Sequence, residues 1–330
     1  MYDKPFHKAD LSTLSLLITG GGGFVGSNLV SYLLKYGAKK VRVLDNFANS
    51  DRANSNAFLT HDNYELLEGD ITNYNDCLKA TDGIDFVSHQ AALGSVPRSL
   101  KNPMATNEAN VAGFVNMASA ARESGVKRMV FASSSSVYGD SKELPKVESI
   151  IGKPLSPYAV SKYTNELYGK VFFDSYGQEL IGLRYFNVFG PRQSPKGAYA
   201  AVIPLFIQAL KEGQSPFING DGSQTRDFTF VENAVQANIK ALFTEKSEAL
   251  GEMFNVAVGE RYSLMDLFSF LKEIMNSDIE ATHREERAGD IHDSLADISK
   301  GRELLGYNPE VKFKQGLEKT VAWFKNHDFK

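Results

Sequence analysis

The sequence predicts an α/β fold organised on a doubly wound parallel sheet, and two observations carry this prediction. Short apolar runs of strand length recur along the chain, and segments with helical spacing of apolar residues separate them. The first run, residues 14–19, ends in four consecutive glycines, which is typical of a buried strand that enters a tight turn. Strands that alternate with helices pair in parallel through crossover helices, so these segments predict a doubly wound sheet.

The elements of this sheet are predicted one after another along the chain. After the first strand, apolar residues at positions 25, 29, 30, 33 and 34 have helical spacing, and Gly37 ends this helix. Short apolar runs predict further strands at residues 41–44, 64–68, 86–89, 128–132 and 180–184. The clearest of the separating helices lie at residues 106–125 and around Tyr158.

The alternation gives way after Asn187 to a loop rich in Pro, Gly and Gln at residues 190–199. A helix at 203–210 and a glycine-rich turn at 219–222 follow, and Ser263 with Asp266 predicts a capping box that opens a helix at 263–275. We therefore expect a larger domain at residues 1–186 and a smaller α/β domain at residues 187–330. Residues 228–231, the helix after them and residues 253–256 are expected to return to the main sheet.

Composition argues against several classes of function. The 330 residues are 23% charged with a net charge of -4, so no basic surplus points to nucleic acid or an anionic membrane. Cys77 is the single cysteine, which fits a reducing compartment, and the six histidines have no metal-ligand spacing. No stretch approaches the ~18 apolar residues of a membrane span, and residues 1–13 lack a signal-peptide run. We expect a cytoplasmic protein with no bound metal.

The glycine loop at residues 19–26 predicts a dinucleotide site. It matches GxGxxG through Gly21, Gly23 and Gly26, and GxxGxxG through Gly20, Gly23 and Gly26. In either register the absent side chains let the backbone approach a pyrophosphate at the start of a helix. A purely structural turn is the alternative interpretation, but this loop follows a predicted strand and opens a predicted helix.

An aspartate at the end of the second predicted strand bears on which cofactor is used. Asp45 lies 19 residues after Gly26, a spacing that suits a carboxylate bound to an adenosine ribose. A carboxylate at this position would repel the 2′-phosphate of NADP, so NAD is favoured. Asp70 and Ile71 follow the third strand and are expected near the adenine, where an ordinary strand-end aspartate would fit equally well.

Tyr158 and Lys162 lie four residues apart in a predicted helix, so the two side chains can point into the same cleft. A phenol titrates near ~10 in water and acts as a base at neutral pH only where positive charge stabilises the phenolate. Lys162 can supply that charge. Ser134, in the serine run at 133–136, can hold the same substrate oxygen. A surface helix with a solvated lysine is the alternative interpretation of this short pattern.

Further spaced segments carry a resemblance to a known family. They are AALGSVPR at 91–98, ASSSSVYG at 132–139, RYFNVFG at 184–190, RD at 226–227 and RAGD at 287–290. With the glycine loop, Asp45 and YxxxK, the chain resembles the extended short-chain dehydrogenase/reductase family from about residue 14 to the carboxyl end. Within that family it is most similar to the nucleotide-sugar epimerases, and among these to bacterial enzymes that act on UDP-N-acetylhexosamines.

The resemblance implies a fold, an assembly and a set of contacts. It implies a Rossmann-type NAD-binding domain at 1–186, a UDP-sugar-binding domain at 187–330, and a homodimer formed by helices near 106–125 and 157–176. The expected NAD contacts are Gly20, Gly23, Phe24, Val25, Gly26, Asp45, Asn46, Asp70, Ile71, Gln90, Tyr158 and Lys162. The expected substrate contacts are Gly94, Ser95, Ser134, Ser135, Ser136, Asn187, Gln193, Val202, Arg226, Arg287, Asp290 and Ser294.

The resemblance also implies roles for these residues. Tyr158 would take the proton from the hexose 4-hydroxyl, Ser134 would orient the 4-oxygen, and Lys162 would bind the nicotinamide ribose and lower the pKa of the tyrosine. Asn187 would bind the sugar or its diphosphate, and Asp290 the uridine ribose. Arg226 and Arg287 would clamp the diphosphate, whose geometry suits the planar fork of arginine.

Two serines decide which reaction the resemblance implies. Sugar 4,6-dehydratases of this family carry an acidic pair after the catalytic serine, and a UDP-glucuronate decarboxylase is expected to carry a glutamate near this point. This chain has Ser135 and Ser136 there, which cannot act as comparable acids or bases. The resemblance therefore implies 4-epimerisation: oxidation to a 4-keto sugar, rotation of that sugar, and return of hydride to its other face.

The substrate is implied by the residue four positions after the aspartate of RxGD. That position borders the 2-substituent of the sugar, and Ser294 leaves space there for an N-acetyl group where a tyrosine would not. The implied substrates are UDP-N-acetylglucosamine and UDP-N-acetylgalactosamine, with their uronic acids as further candidates. Two alternatives stay open: a UDP-glucose/UDP-galactose 4-epimerase of broad tolerance, and a non-catalytic NAD-binding regulatory protein.

Overall fold

The computed structural model describes residues 1–196, 200–285 and 293–327. The strands in these ranges are β1 Ser15–Thr19, β2 Lys40–Asp45, β3 Tyr64–Glu68, β4 Phe86–His89, β5 Arg128–Ser134, β6 Glu179–Tyr185, β7 Val188–Phe189, β8 Phe217–Asn219, β9 Thr225–Arg226, β10 Thr229–Phe230, β11 Met253–Val256, β12 Tyr262–Ser263 and β13 Thr282–Arg284. The α-helices are α1 Phe24–Lys35, α2 Arg52–Asn56, α3 Tyr74–Thr81, α4 Val96–Lys101, α5 Pro103–Asn107, α6 Gly113–Glu123, α7 Pro157–Tyr176, α8 Val202–Lys211, α9 Val231–Phe243, α10 Leu264–Met275, α11 Ser299–Leu305 and α12 Phe313–Lys325.

Among the described strands, seven form one parallel sheet in the order β11-β6-β5-β4-β1-β2-β3. The strand order reverses between β1 and β4. In open α/β sheets, ligands bind beyond the carboxyl ends of the strands at such a reversal. The predicted fold class is confirmed, and its glycine loop and Gln90 follow the two strands that flank the reversal.

Helices cover both faces of this sheet. Leu16 and Ile18 of β1 point into one apolar core with residues of α1 and α9, whereas Leu17 points into a second core with residues of α3 and α6. Side chains of a strand alternate between its faces, so a strand covered on both sides reads as a continuous apolar run. This explains why residues 15–19 are buried throughout.

A third apolar core is formed by residues between 189 and 324. Side chains of α8, α10 and α12, including Phe206, Leu267 and Leu317, pack together there with Ile218 of β8. The predicted capping box is present: Ser263 Oγ accepts from the backbone of Asp266, and the Asp266 side chain accepts from the backbone of Ser263. The helix begins at the following residue.

One expectation about the main sheet was wrong. Residues 228–231 do not add a strand to it, because Thr229–Phe230 pairs in parallel with Val188–Phe189 in a separate sheet. The outer edge of β6 is already paired with β11, so β10 has no free edge to join there. The other two segments do return: α9 packs on the sheet, and β11 is one of its strands.

The helix predicted at residues 106–125 has an irregular centre. In the structure α5 continues through a π-helical turn at Glu108–Ala112 into α6. Turns of this type are uncommon and often lie at functional sites. Every helix in the described ranges is too short or too polar to cross a lipid bilayer.

Candidate active site

A cavity of about 520 Å³ lies at the carboxyl ends of β1, β2, β4 and β5. All twelve residues predicted to contact NAD line it, including the glycine loop, Asp45, Asp70, Gln90, Tyr158 and Lys162. These residues come from positions spread between 20 and 162, so the fold brings together a set that the sequence predicts in pieces.

The glycine loop approaches neighbouring backbone too closely for side chains. Gly20 has φ +69°, and a Cβ there would lie 2.7 Å from the backbone nitrogen of Ala91. A Cβ on Gly26 would lie 2.2 Å from the carbonyl oxygen of Gly20. Gly20 lines the cavity and Gly21 does not, which favours the GxxGxxG register. The loop leaves an open cradle at the start of α1, where backbone N–H groups attract anions.

Asp45 connects the end of β2 to this loop. Its Oδ2 accepts from the backbone N–H of Gly22 at 2.9 Å, and its Oδ1 accepts from Phe47 N at 2.8 Å and Ser50 Oγ at 3.0 Å. The side chain is buried yet borders the cavity. A carboxylate has about four acceptor positions, so one is free for a ribose hydroxyl.

Asp70 holds a second edge of the cavity. Its Oδ2 accepts from Asn46 Nδ2 at 2.7 Å, and its Oδ1 accepts from the backbone and hydroxyl of Thr72, both at 2.8 Å. Burial acts to raise the pKa of the Asp70 carboxyl, but these hydrogen bonds outweigh it and the pKa is lowered. Asp70 is therefore an ionised acceptor at the edge of the cavity.

Tyr158 reaches the cavity because of how α7 begins. Ser156 Oγ accepts from the backbone N–H of Ala159, and Pro157 occupies the first turn, where a missing N–H costs nothing. Tyr158 thus points from the first turn toward the end of β5. Burial raises the pKa of its phenol, and the nearby Ser134 hydroxyl acts in the opposite direction.

Lys162 lies one turn later on α7, buried beside the same strand. Its Nζ donates to the carbonyl oxygen of Ala132 at 2.7 Å. Burial lowers the pKa of Lys162 to about 8, and the negative charge of Glu166 opposes this change. His89, at the end of β4, has its pKa lowered to about 3 by burial and by Lys162, and its Nδ1 is hydrogen-bonded to Thr19 Oγ1 at 2.8 Å. His89 is therefore a neutral hydrogen-bonding residue.

Comparison with known proteins identifies the family of this chain. Residues 16–257 match the NAD dependent epimerase/dehydratase family. The chain belongs to this family. The predicted resemblance is confirmed, and NAD is the cofactor. The glycine cradle and the buried, hydrogen-bonded Asp45 fit that dinucleotide without a side chain in the way.

Individual relatives cover nearly all of this epimerase/dehydratase. It is 37% identical over 317 residues to a putative UDP-glucose 4-epimerase of Methanocaldococcus jannaschii, covering 95% of this chain and 99% of the relative. A solved UDP-N-acetylglucosamine 4-epimerase of Methanobrevibacter ruminantium M1, in complex with UDP-N-acetylmuramic acid, is 39% identical. Its TM-score is 0.89, with 95% of this chain and 98% of that one covered. The UDP-glucose 4-epimerase of Thermotoga maritima, with UDP-glucose, has TM-score 0.88 at 33% identity and covers 95% and 99% of the two chains.

The predicted substrate residues of this epimerase/dehydratase lie in several places. Gly94 is exposed and lines the NAD cavity. Ser95 has φ +138°, and its hydroxyl accepts from the backbone of Arg98 as the cap of α4. Within the described part of the chain, Ser136 Oγ and Gln193 Oε1 are buried side-chain atoms without a hydrogen-bond partner. Unpaired buried polar atoms are uncommon in folded proteins, and neither residue lines the NAD cavity.

The other predicted substrate residues in the described ranges do not line the NAD cavity. Asn187 is exposed with φ +37°, and its Nδ2 donates to the backbone oxygen of Asp227 at 3.4 Å. Arg226 Nη1 and the backbone N–H of Ser294 both donate to the carbonyl oxygen of Thr225, at 2.9 and 3.1 Å. Arg226 and Ser294 are therefore neighbours. The remaining members of the set are half-buried Ser135, in the short turn Ser135–Tyr138, and half-buried Val202, the first residue of α8. Arg287 and Asp290 lie outside the described residues.

Sequence reasoning misses other residues that build the cavity. Ser133 and Tyr185 line it from the carboxyl ends of β5 and β6, positions that the strand-end rule could have indicated. Asn110, in the π-helical turn, accepts from the backbone N–H of Leu93 at 2.7 Å and donates to Ser161 Oγ at 3.0 Å. It thereby holds the cavity wall against α7. The sequence gives no local signal for that contact.

Proposed function

We propose that this NAD-dependent nucleotide-sugar 4-epimerase interconverts UDP-N-acetylglucosamine and UDP-N-acetylgalactosamine through a 4-keto intermediate. The uronic acid forms of these sugars are further candidate substrates. The observation that carries the proposal is that Tyr158 and Lys162, one helical turn apart on α7, both line the NAD cavity, with the Ser134 hydroxyl close enough to act on the pKa of the phenol. A base, an orienting hydroxyl and a cation converge there.

The reaction assigns a task to each of these side chains. Tyr158 removes the proton of the sugar 4-hydroxyl, and Ser134 fixes the position of the 4-oxygen. NAD, when bound, supplies the acceptor for the hydride of carbon 4, the donor for its return, and a positive charge. Because burial raises the pKa of Tyr158, the phenolate depends on positive charge nearby. Lys162 provides part of it, since a pKa of about 8 keeps the ammonium largely protonated at neutral pH.

The serines next to Ser134 favour epimerisation over the other reactions of the family. Ser135 and Ser136 stand where a dehydratase needs an acidic pair and a decarboxylase a glutamate. Neither hydroxyl can move protons at the sugar carbons in the way a carboxylate can. The complete set of Ser134, Tyr158 and Lys162 argues against a regulatory protein that only binds NAD.

A small residue at the position that the resemblance places beside the sugar supports an N-acetylated substrate. Ser294 is half-buried beside Arg226, and its small side chain would leave space for an acetamide at the sugar 2-position. The solved UDP-N-acetylglucosamine 4-epimerase is also a structural neighbour over nearly the whole chain. The UDP-glucose 4-epimerases among the relatives make UDP-glucose the second candidate.

A turnover assay from both directions tests this proposal. Purified protein given UDP-N-acetylglucosamine or UDP-N-acetylgalactosamine should approach the same equilibrium mixture, as measured by chromatography of the nucleotide sugars. UDP-glucose and UDP-galactose serve as the comparison pair. Faster turnover of the plain hexoses would favour the second candidate. Irreversible loss of water, or no turnover of any UDP-hexose, would contradict 4-epimerisation.

An exposed apolar face supports the predicted homodimer. Val160, Leu167 and Val171 lie on α7 and are each about half exposed, and Leu100 and Met104 lie on the adjacent α4 and α5 with 63% and 82% exposure. We propose that a second copy covers this face. Sedimentation velocity should show a dimer that Leu167→Asp dissociates.

Leu59 offers a matched control for that experiment. It is exposed to a similar extent, 57% against 52% for Leu167, but lies outside α4, α5 and α7. Leu59→Asp should leave the dimer intact. A monomeric wild-type protein would contradict the proposal.

A further inference from the structure

A buried carboxylate on α7 joins three elements around the site. Glu166 lies one turn after Lys162 and is 4% exposed. Its Oε1 accepts from the Ser133 hydroxyl at 2.5 Å and from Arg184 Nε at 2.9 Å, and its Oε2 accepts from Arg184 Nη2 at 2.8 Å. Glu166 therefore ties α7 to the carboxyl ends of both β5 and β6.

The arginine of this pair is fixed on its other side. Arg184 Nη1 donates to Tyr138 Oη at 3.0 Å and to the carbonyl oxygen of Glu148 at 2.9 Å, and the Tyr138 hydroxyl donates to Asn255 Oδ1 at 2.6 Å. A buried ion pair is costly unless hydrogen bonds satisfy its remaining groups, which they do here. The two-point contact between guanidinium and carboxylate also fixes their relative orientation.

Consecutive residues of β5 each face a different turn of α7. Ala132 accepts from Lys162 Nζ, Ser133 donates to the carboxylate described above, and the Ser134 hydroxyl lies close enough to Tyr158 to act on the pKa of its phenol. The three partners on α7 follow one another at intervals of four residues. A shift of β5 along α7 would therefore break both bonds and move Ser134 away from Tyr158.

We propose that Glu166 is a positioning residue for epimerisation. It holds the end of β5 in register with α7, so that the Ser134 hydroxyl stays beside the Tyr158 phenol. This inference rests on the proposed function. Glu166 acts through Ser133 and Arg184, and through its charge on Lys162, without touching the reacting atoms.

The charge of Glu166 gives this role a measurable signature. Burial lowers the pKa of Lys162 to about 8 against the opposing effect of Glu166, so removing the carboxylate charge lowers it further. The other titratable groups near the ammonium are Tyr158, one turn earlier, and His89 at the end of β4. His89 is neutral above its pKa of about 3, so it contributes no charge change near neutral pH.

Two variants separate the links that Glu166 makes. Glu166→Gln removes the negative charge. The glutamine amide has one acceptor oxygen and one NH2 donor, so it cannot accept from both Arg184 donors as the carboxylate does. Ser133→Ala removes only the bond to β5 and leaves the ion pair intact, so it keeps the test usable if the first variant folds poorly. Glu179→Gln is the matched control, because Arg128–Glu179 joins the same two strands at their opposite ends.

The expected results differ between the variants. Glu166→Gln and Ser133→Ala should each lower kcat by roughly tenfold or more, as small displacements of catalytic groups do, with KM for the UDP-sugar within about twofold. In Glu166→Gln alone, the alkaline limb of the kcat profile should move to lower pH, and so should the titration of Lys162 followed by NMR of isotope-labelled lysine. Glu179→Gln should keep the wild-type kcat and both pH profiles.

Several outcomes would overturn the inference. Wild-type kcat in Ser133→Ala would show that the bond to β5 positions nothing, and an unchanged Lys162 titration in Glu166→Gln would reject the charge effect. Equal loss of kcat in Glu179→Gln would reduce the role of Glu166 to general stability. Because the lysine titration needs no substrate, it gives a result even if the wild-type protein turns over no UDP-sugar, which would instead contradict the proposed function.

Discussion

One ion pair lies at each end of β5 and β6: Arg128–Glu179 joins the two strands at the amino end, and Arg184–Glu166 joins β6 to α7 at the carboxyl end. At the amino end, Arg128 Nη2 lies 2.6 Å from Glu179 Oε2, and its Nη1 donates to the carbonyl oxygens of residues 241, 242 and 244 at the end of α9. At the carboxyl end, the Arg184–Glu166 pair holds Ser133 and the Tyr138 hydroxyl beside the site. The first pair satisfies the last carbonyls of α9, and the second holds a residue, Ser133, that lines the NAD cavity.

The amino-end arrangement occurs twice, which strengthens this contrast. Arg42 on β2 is paired across the sheet with Glu65 on β3, and its Nη1 donates to the carbonyl oxygens of residues 79, 80 and 82 at the end of α3. Positive charge at a helix carboxyl end is favourable, because the last carbonyls there lack helical partners. The amino edge of the sheet thus carries ion pairs that contribute to stability, and the carboxyl edge carries the residues that line the NAD cavity.

The largest expected effect is a loss of activity without a loss of stability, from a substitution at the carboxyl edge of the sheet. Tyr158→Phe removes the proposed base without leaving a large cavity, so kcat should fall by about 10³-fold while the melting temperature and UDP binding stay close to wild type. Turnover assays, thermal denaturation and calorimetric titration with UDP measure the three quantities. Substantial remaining turnover would show that another group takes the proton.

The converse substitution at the amino edge should affect stability alone. Arg128→Met leaves Glu179 and three helix-end carbonyls without their donor, so the free energy of unfolding should fall by about 3 kcal/mol. The value of kcat should not change. Chemical denaturation and turnover of the surviving folded protein test this, and a parallel loss of kcat would erase the contrast between the two edges.

Asp227 links stability to pH, because burial changes the pKa of its carboxyl even though backbone N–H groups donate hydrogen bonds to it. It is fully buried and accepts from the N–H groups of Val258, Gly259 and Ala296. Burial raises its pKa to about 6 despite these bonds. A carboxyl whose folded pKa lies above its unfolded value contributes stability at low pH, and this contribution is lost as the pH rises through the folded pKa.

The stability of wild type relative to Asp227→Asn should therefore fall by about 2 to 3 kcal/mol between roughly pH 4 and pH 6.5, then level off. Chemical denaturation of both proteins across this range measures the difference. A constant difference would mean that the carboxyl does not titrate there. A difference that grows with pH would reverse the sign of the argument.

The smallest expected effect concerns selectivity at the carboxyl edge. Ser294→Tyr should lower kcat/KM for UDP-N-acetylglucosamine about tenfold relative to UDP-glucose, because the larger side chain occupies the space proposed for the acetyl group. The ratio of the two kcat/KM values is the readout, with Ser294→Ala as the control that keeps the space. Equal losses on both sugars would reject the pocket argument.

The NAD side of the site could be predicted because its signals are local. Gly20, Gly23 and Gly26 form one short loop, and Asp45 ends the next strand, so spacing alone indicates their chemistry. Glu166 carries no such signal. Its partners Ser133 and Arg184 are 33 and 18 residues away, and only the folded arrangement brings them together.

The wrong prediction for residues 228–231 also arises because local sequence gives no signal for a tertiary contact. Residues 228–231 have an apolar pattern that suits a sheet, but the pattern cannot tell which edge is free. The outer edge of β6 is paired with Met253–Val256, and only the tertiary structure shows this pairing. Local sequence therefore predicts where the strands and helices lie along the chain better than it predicts which elements pair with each other.

The π-helical turn at Glu108–Ala112 holds one residue more than a regular α-helical turn would. Loss of one residue there would let the turn relax to regular α-helix while the helices on either side keep their orientation. The apolar stripe of Gly113–Glu123 would then stay on the sheet, but Asn110 would lose the position from which it contacts Leu93 and Ser161. We expect such a shortened chain to fold and to lose the link between the cavity wall and α7.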